Sequence, residues 1–162
     1  MAHCVSVAQI RNENVIVDGF NLLITIEAAL SRGPLFVGVD KCIRDLSSVH
    51  GSYRSVEETE QAIRMIGQAL ENLAASSVTW LLDRPVSNSG RLATRIAEIA
   101  LQRDWPWRVE VVFNPDATII SSIAVAITSD SSILNQVERW VDLKTYLLVS
   151  ELPNAWAIDL SE

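Results

Sequence analysis

Three apolar runs in this chain each close on an aspartate: VIVD at 15–18, VTWLLD at 78–83 and SIAVAITSD at 122–130. Runs that are apolar at consecutive positions, rich in Val and Ile and bounded by turn signals read as strands buried on both faces. Such strands belong to a parallel sheet covered by helices, a requirement that removes one-sided antiparallel sheets and helical bundles from consideration. A carboxylate at the end of a buried strand is costly to desolvate unless it is paired, hydrogen-bonded or bound to a metal. The threefold placement therefore needs a physical reason.

The segments between these runs carry helical signals. NLLITIEAALSRG has helical length with Gly33 placed to end it, and residues 56–74 repeat apolar positions at three- and four-residue steps behind a Ser55-x-x-Glu58 capping box. A further helix is expected over 89–103, with Leu92, Ile96 and Ile99 inward, and a strand over VEVVF at 109–113. Asn114, Pro115 and Asp116 open a short helix through about Ser121. SSILNQVERW reads as a helix, TYLLVS at 145–150 stays open between helix and strand, and WAIDL reads as the last strand. Residues 33–53 are unassigned apart from LFVGV, a strand or hairpin arm, and residues 1–13 are expected to be a loosely ordered lead into a single domain spanning 1–162. Strands alternating with helices give an α/β class with a mainly parallel sheet.

Composition narrows the function classes. Hydrophobic residues make up 49% and charged residues 20%, a balance that supports one packed core. No apolar stretch reaches the ~18 residues of a membrane helix, and MAHCVSVAQIRNEN lacks a signal-peptide pattern, so a cytoplasmic protein without membrane contact is expected. Cys4 and Cys42 lack CxxC spacing and read as reduced thiols, with no structural zinc. A net charge of −7 excludes a generic basic sleeve for nucleic acid, so any polyanion must meet a local cationic patch. Of the 13 basic residues only Lys41 and Lys144 are lysines.

Ligands of open parallel sheets bind beyond the carboxyl ends of the strands, where the strand order reverses. If their strands are neighbours, Asp18, Asp83 and Asp130 converge there, and a divalent cation would relieve their repulsion. Hard oxygen ligands suit magnesium or manganese. The plainer roles are also open: Asp18 and Asp130 as helix N-caps, and Arg84, Arg91 or Arg95 as partners of Asp83. RPVSNSGR at 84–91 either presents Arg84, Ser87 and backbone N–H groups to a substrate phosphate or is a turn capped by Ser87 or Ser89. His50 and Arg54 precede the 56–74 helix and are candidates for the same mouth. Glu58 is a capping-box residue, while Glu57 is freer. Trp105 and Trp107 either stack on bases or pack a loop onto the core.

VDGFN at 17–21 and ITSDSSIL at 127–134 resemble two motifs of the PIN and NYN-like nuclease superfamily, and most of the chain resembles an uncharacterised, mainly archaeal family placed within it. The resemblance implies a three-layer sandwich around a parallel sheet of about five strands in order 3-2-1-4-5. It also implies a metal-dependent phosphodiester hydrolase, a ribonuclease, using magnesium or manganese. Asp18 and Asp130 would be metal ligands, with Asp83 acting directly or through water. Asn21 would orient Asp18 or a phosphate, Ser129 would support the site, and Glu57 or Glu58 would stand nearest to the glutamate that many PIN domains supply from a helix. Ser131 and Ser132 occupy positions where active relatives carry a further acid, leaving Asp142 as a substitute. The competing expectation is the same fold kept as an RNA- or protein-binding adaptor, with a homodimer permitted. A haloacid-dehalogenase-like phosphatase is set aside because Phe20 stands where its second aspartate belongs, and no P-loop or GxSxG motif occurs.

Overall fold

A computed structural model of the chain describes residues 3–45 and 57–160. The chain runs through β1 (His3–Val5), a 3₁₀ turn (Val7–Ile10), β2 (Asn14–Asp18), α1 (Gly19–Leu30), β3 (Leu35–Val37) and β4 (Ile43–Asp45). It continues with α2 (Glu58–Asn72), β5 (Ser77–Asp83), α3 (Ser89–Arg103), β6 (Trp107–Val112) and α4 (Pro115–Ser121). The last elements are β7 (Val125–Ile127), α5 (Ser131–Leu134), β8 (Arg139–Val141), α6 (Leu143–Glu151) and β9 (Ala157–Asp159).

Strand residues alternate between two covers, which explains why the runs are apolar throughout. Val15 and Val17 of β2, with Val78, Trp80 and Leu82 of β5, face a core shared with α1, α2, α3 and α6. Ile16 and Leu81 face the opposite way, onto Ile119 of α4 and Ile133 of α5. The result is a three-layer α/β sandwich. Its central sheet has six strands in order β1-β8-β7-β2-β5-β6, and every neighbouring pair is parallel. A second sheet, β4-β3-β9, pairs β3 antiparallel to β4 and parallel to β9.

The strands of the first four apolar runs take the expected neighbours, with β2 between β5 and β7 and β6 outside β5. The fifth place belongs to Arg139–Val141, not to WAIDL, which joins the small sheet as β9. SSILNQVERW is correspondingly only one helical turn, α5, before the chain re-enters the sheet. A three-residue strand is too short to show a period, and Arg139 holds it by ion-pairing to Glu13 at 3.1 Å. From His3 onward the lead segment joins the fold rather than lying loose. His3 N–H donates to Glu138 O at 3.0 Å, β1 adds a sixth strand beside β8, and Ile10 is fully buried. TYLLVS is helical, within α6, capped by Asp142 accepting from Thr145 N–H at 3.1 Å. Asn114 caps α4 as expected, accepting from Ala117 N–H at 3.2 Å. The Ser55 half of the proposed capping box lies outside the described residues.

Gly19 is required by packing. A Cβ there would lie 2.6 Å from Leu82 Cδ2 and 2.7 Å from Leu81 O, because the start of α1 passes directly over β5. Gly67 similarly admits the Trp105 ring, whose Cζ3 would be 2.1 Å from an added Cβ. Trp105 is thus core, stacked on Trp107 with centroids 4.8 Å apart. Gly19→Ala is expected to destabilise the fold by about 1–3 kcal/mol, since backbone must move, lowering the melting midpoint by several degrees in a thermal unfolding scan.

Candidate functional site

The strand order reverses on either side of β2, and a cleft of about 380 Å³ opens beyond the carboxyl ends of the strands there. Asp18, Asp83 and Asp130 all line it, as does Asn21 on the first turn of α1. Four further charged residues line it: Asp116 on α4, Arg44 and Asp45 on β4, and Lys144 on α6. Of these, Lys144 and Asp116 were visible in the sequence only as a rare lysine and a helix-opening acid. Arg44 and Asp45 gave no signal, because only the β3–β4 hairpin folding against α1 brings them to the mouth.

Asp18 does not cap α1: it sits at the N-cap position without a side-chain hydrogen bond to the helix. Its Oδ2 instead accepts from the Thr128 hydroxyl at 2.9 Å, tying β2 to the segment after β7. Desolvation pushes the Asp18 carboxyl up to about 6 against the lowering effect of that hydrogen bond, with Asp116 adding to the rise, Lys144 opposing it, and Asp130 adding a little more. Asp116 is likewise raised, by partial burial first and then by Asp130 and Asp83. These carboxylates therefore sense one another. Asp130 does cap: Oδ1 accepts from Ser132 N–H at 2.9 Å and from its hydroxyl at 2.7 Å. Among the described residues, Asp83 Oδ1 and Asp45 Oδ2 are buried with no hydrogen-bond partner. Buried orphaned carboxylate oxygens are uncommon, and a bound water, ion or ligand is what satisfies them.

Among the described residues, none of Asp18, Asp83, Asp116 and Asp130 is held in an ion pair by arginine or lysine. Arg95 is taken by Glu60 and Glu98, and Arg84 lies over the Phe113 ring at 4.7 Å while donating to Val111 O. The structural pairing of Asp83 with these arginines is thereby replaced by an unpaired carboxylate. Arg84 and Ser87 are exposed and outside the cleft lining, as is Glu57 at the start of α2, so the structure does not bring these three to the carboxylates. Neither Ser87 nor Ser89 caps α3, whose N-cap position is Asn88. Asp142 is spent on capping α6. His50 and Arg54 lie outside the described residues. Ser129 is buried beneath the cleft, donating from its N–H to Asn21 Oδ1 at 3.0 Å.

Residues 7–146 match the model of a family described as Domain of unknown function (DUF5616). The chain belongs to the DUF5616 family. It is also 33% identical over 135 residues to the uncharacterized protein MJ0935 of Methanocaldococcus jannaschii, an alignment covering 82% of this chain. The alignment spans 64% of that relative's length. No solved structure matches. The DUF5616 match takes in every cleft residue, from Asp18 to Lys144, and stops within α6.

The donor set of this DUF5616 site suits a hard divalent cation: carboxylate oxygens, two of them orphaned, around an open cleft. As the side chains stand, no three His, Cys, Asp or Glu among the described residues are gathered closely enough to share one ion. A cation would have to draw Asp18, Asp83 and Asp116 together, with the free Oδ2 of Asp130 beside them.

The raised Asp18 carboxyl has a consequence for stability. Its folded value, about 6, exceeds the ordinary 3.8, so the folded chain holds an extra proton between those values. Stability therefore falls as pH rises through that window, and the full penalty persists above it. Asp18→Asn should be more stable than the parent by about 1–3 kcal/mol at pH 7.5. The gain should vanish near pH 4, as read by urea unfolding of both proteins at the two pH values.

Proposed function

We propose that this protein is a metal-dependent phosphodiester hydrolase acting on RNA with magnesium or manganese. The observation that carries the reading is a carboxylate cluster at the strand-order reversal in which, among the described residues, Asp83 Oδ1 is buried without a partner and no arginine neutralises Asp18, Asp83, Asp116 or Asp130. A purely structural set of acids would be expected to be capped or salt-bridged; among the described residues Asp130 is a cap, while Asp18, Asp83 and Asp116 have neither role. The likeness of VDGFN and ITSDSSIL to PIN and NYN-like motifs supports the same chemistry.

A bound divalent cation would polarise the scissile phosphoryl group and acidify an attacking water. Asp18, Asp83 and Asp116 would hold it, and Asp130 Oδ2 is available to orient the water. Thr128 orients the Asp18 carboxylate through its 2.9 Å hydrogen bond. Lys144 and Arg44 set positive charge on the cleft wall, where an incoming phosphate would otherwise meet only acids. Because metal binding requires ionised carboxylates, loading is expected to be weaker below the Asp18 value of about 6 than above it.

One observation favours a second reading, a non-catalytic adaptor with the same fold: Asp130, a ligand by motif, uses one oxygen as a helix cap. The two readings separate on labelled single-stranded and structured RNA incubated in magnesium, manganese or EDTA. The hydrolase predicts cleavage that EDTA abolishes and that Asp18→Asn and Asp130→Asn reduce by about 10²-fold or more. Metal-independent cutting, or cutting indifferent to both substitutions, would sink it. RNA retained without cleavage would leave the adaptor.

A further inference from the structure

Ser129 is 2% exposed, and each of its polar groups is committed. Its N–H donates to Asn21 Oδ1 at 3.0 Å, and its carbonyl accepts from Arg44 Nη2 at 2.5 Å. Its Oγ lies 2.6 Å from Lys144 Nζ and 3.2 Å from Asn21 Oδ1. An ammonium only donates, so Oγ accepts from Lys144 and its single proton goes to Asn21. Asn21 thus meets two donors on that side, which requires its oxygen there and leaves its NH₂ for the cleft it lines.

The two cations of the cleft are therefore joined to Asn21 through one buried serine. Lys144 is 3% exposed, and no carboxylate lies within ion-pair distance of it among the described residues. A buried ammonium without a paired anion is costly, and an anionic ligand would relieve it. Arg44 shares its charge with Asp40, at 2.7 Å, so Lys144 and the Asn21 amide supply most of the attraction.

We infer that Ser129 assembles Asn21 Nδ2, Lys144 and Arg44 into an oxyanion subsite on the wall of the same cleft as the carboxylates, one that takes the non-bridging oxygens of a phosphate ester. Asn21 is then a hydrogen-bond donor to substrate, and a metal ligand role for it is excluded because its oxygen is spent on Ser129. Lys144 is a direct part of the subsite, and Ser129 is the positioning residue that orients the Asn21 donor and holds Lys144 beside it. The choice of a phosphate ester rests on the hydrolase reading, but the subsite itself can be measured without turnover.

The probe is inorganic phosphate, titrated into the ¹⁵N-labelled full chain in magnesium buffer. The side-chain NH₂ resonances of Asn21 are assigned by their loss in Asn21→Ala. Saturable movement of that pair is expected, with the apparent Kd raised about tenfold by Lys144→Met and by Ser129→Ala. Asn21→Asp sits on the half-buried face of α1 and keeps the shape while replacing the donor by an acceptor, so phosphate should weaken further than in Asn21→Ala, even if Lys144→Met fails to fold. Stationary Asn21 resonances in the folded parent, or phosphate affinity untouched by Asn21→Asp, overturn the subsite. Manganese-dependent RNA cleavage with stationary resonances would remove the subsite and keep the hydrolase. Saturable phosphate binding without cleavage would do the reverse.

Discussion

Everything in this fold is arranged around β2, a five-residue strand with parallel neighbours on both edges and a hydrophobic cover on both faces. Nothing polar fits along its buried middle, Val15–Val17, so the first opportunity for chemistry at the carboxyl end is the residue where the strand stops. That residue is Asp18. The chain must then turn at once into α1, and the approach of α1 to β5 leaves no room for a Cβ at position 19. A carboxylate at the strand end and a glycine behind it follow from one packing constraint.

The site repeats that logic at its neighbours and adds charge of the opposite sign from a distance. Asp83 and Asp130 stand at the ends of the flanking strand segments, while Lys144 and Arg44 come from α6 and the β3–β4 hairpin. Lys144 is pulled down to about 8 by burial, against the raising influence of Asp45, Asp18 and Asp142. Asp18 is pushed up by the same burial. The low-dielectric surroundings make both charged forms expensive, and each partly offsets the other without contact. A cleft held in this balance responds strongly to an incoming ion of either sign, which is the electrostatic basis of the proposed hydrolase and of the phosphate subsite within it.

The DUF5616 match spans residues 7–146, and the similarity to the M. jannaschii protein MJ0935 extends over 135 residues; neither describes a chemistry. The proposed chemistry rests on particular atoms: an orphaned oxygen on Asp83, a hydrogen bond from Thr128, and a serine whose bonding polarity orients Asn21. The small second sheet contributes through β4 alone, whose last residue, Asp45, receives the Thr25 hydroxyl at 3.0 Å. No helix among the described residues is long and apolar enough to cross a membrane.

The amino-acid order was sufficient for the α/β class, the four strands β2, β5, β6 and β7, and the aspartates at or just beyond the ends of β2, β5 and β7. These are local matters: an apolar run, a capping pattern or a strand-terminal acid can be read within a few residues. It was insufficient for β1 and β8, three-residue strands whose identity comes from pairing with each other, and it misplaced the WAIDL strand for the same reason. It also could not supply Asp45, Asp116, Arg44 and Lys144 to the cleft, or withdraw Arg84, Ser87 and Glu57 from it. Those assignments depend on which way separate elements face once packed, a property of long-range contacts that no short window of residues contains.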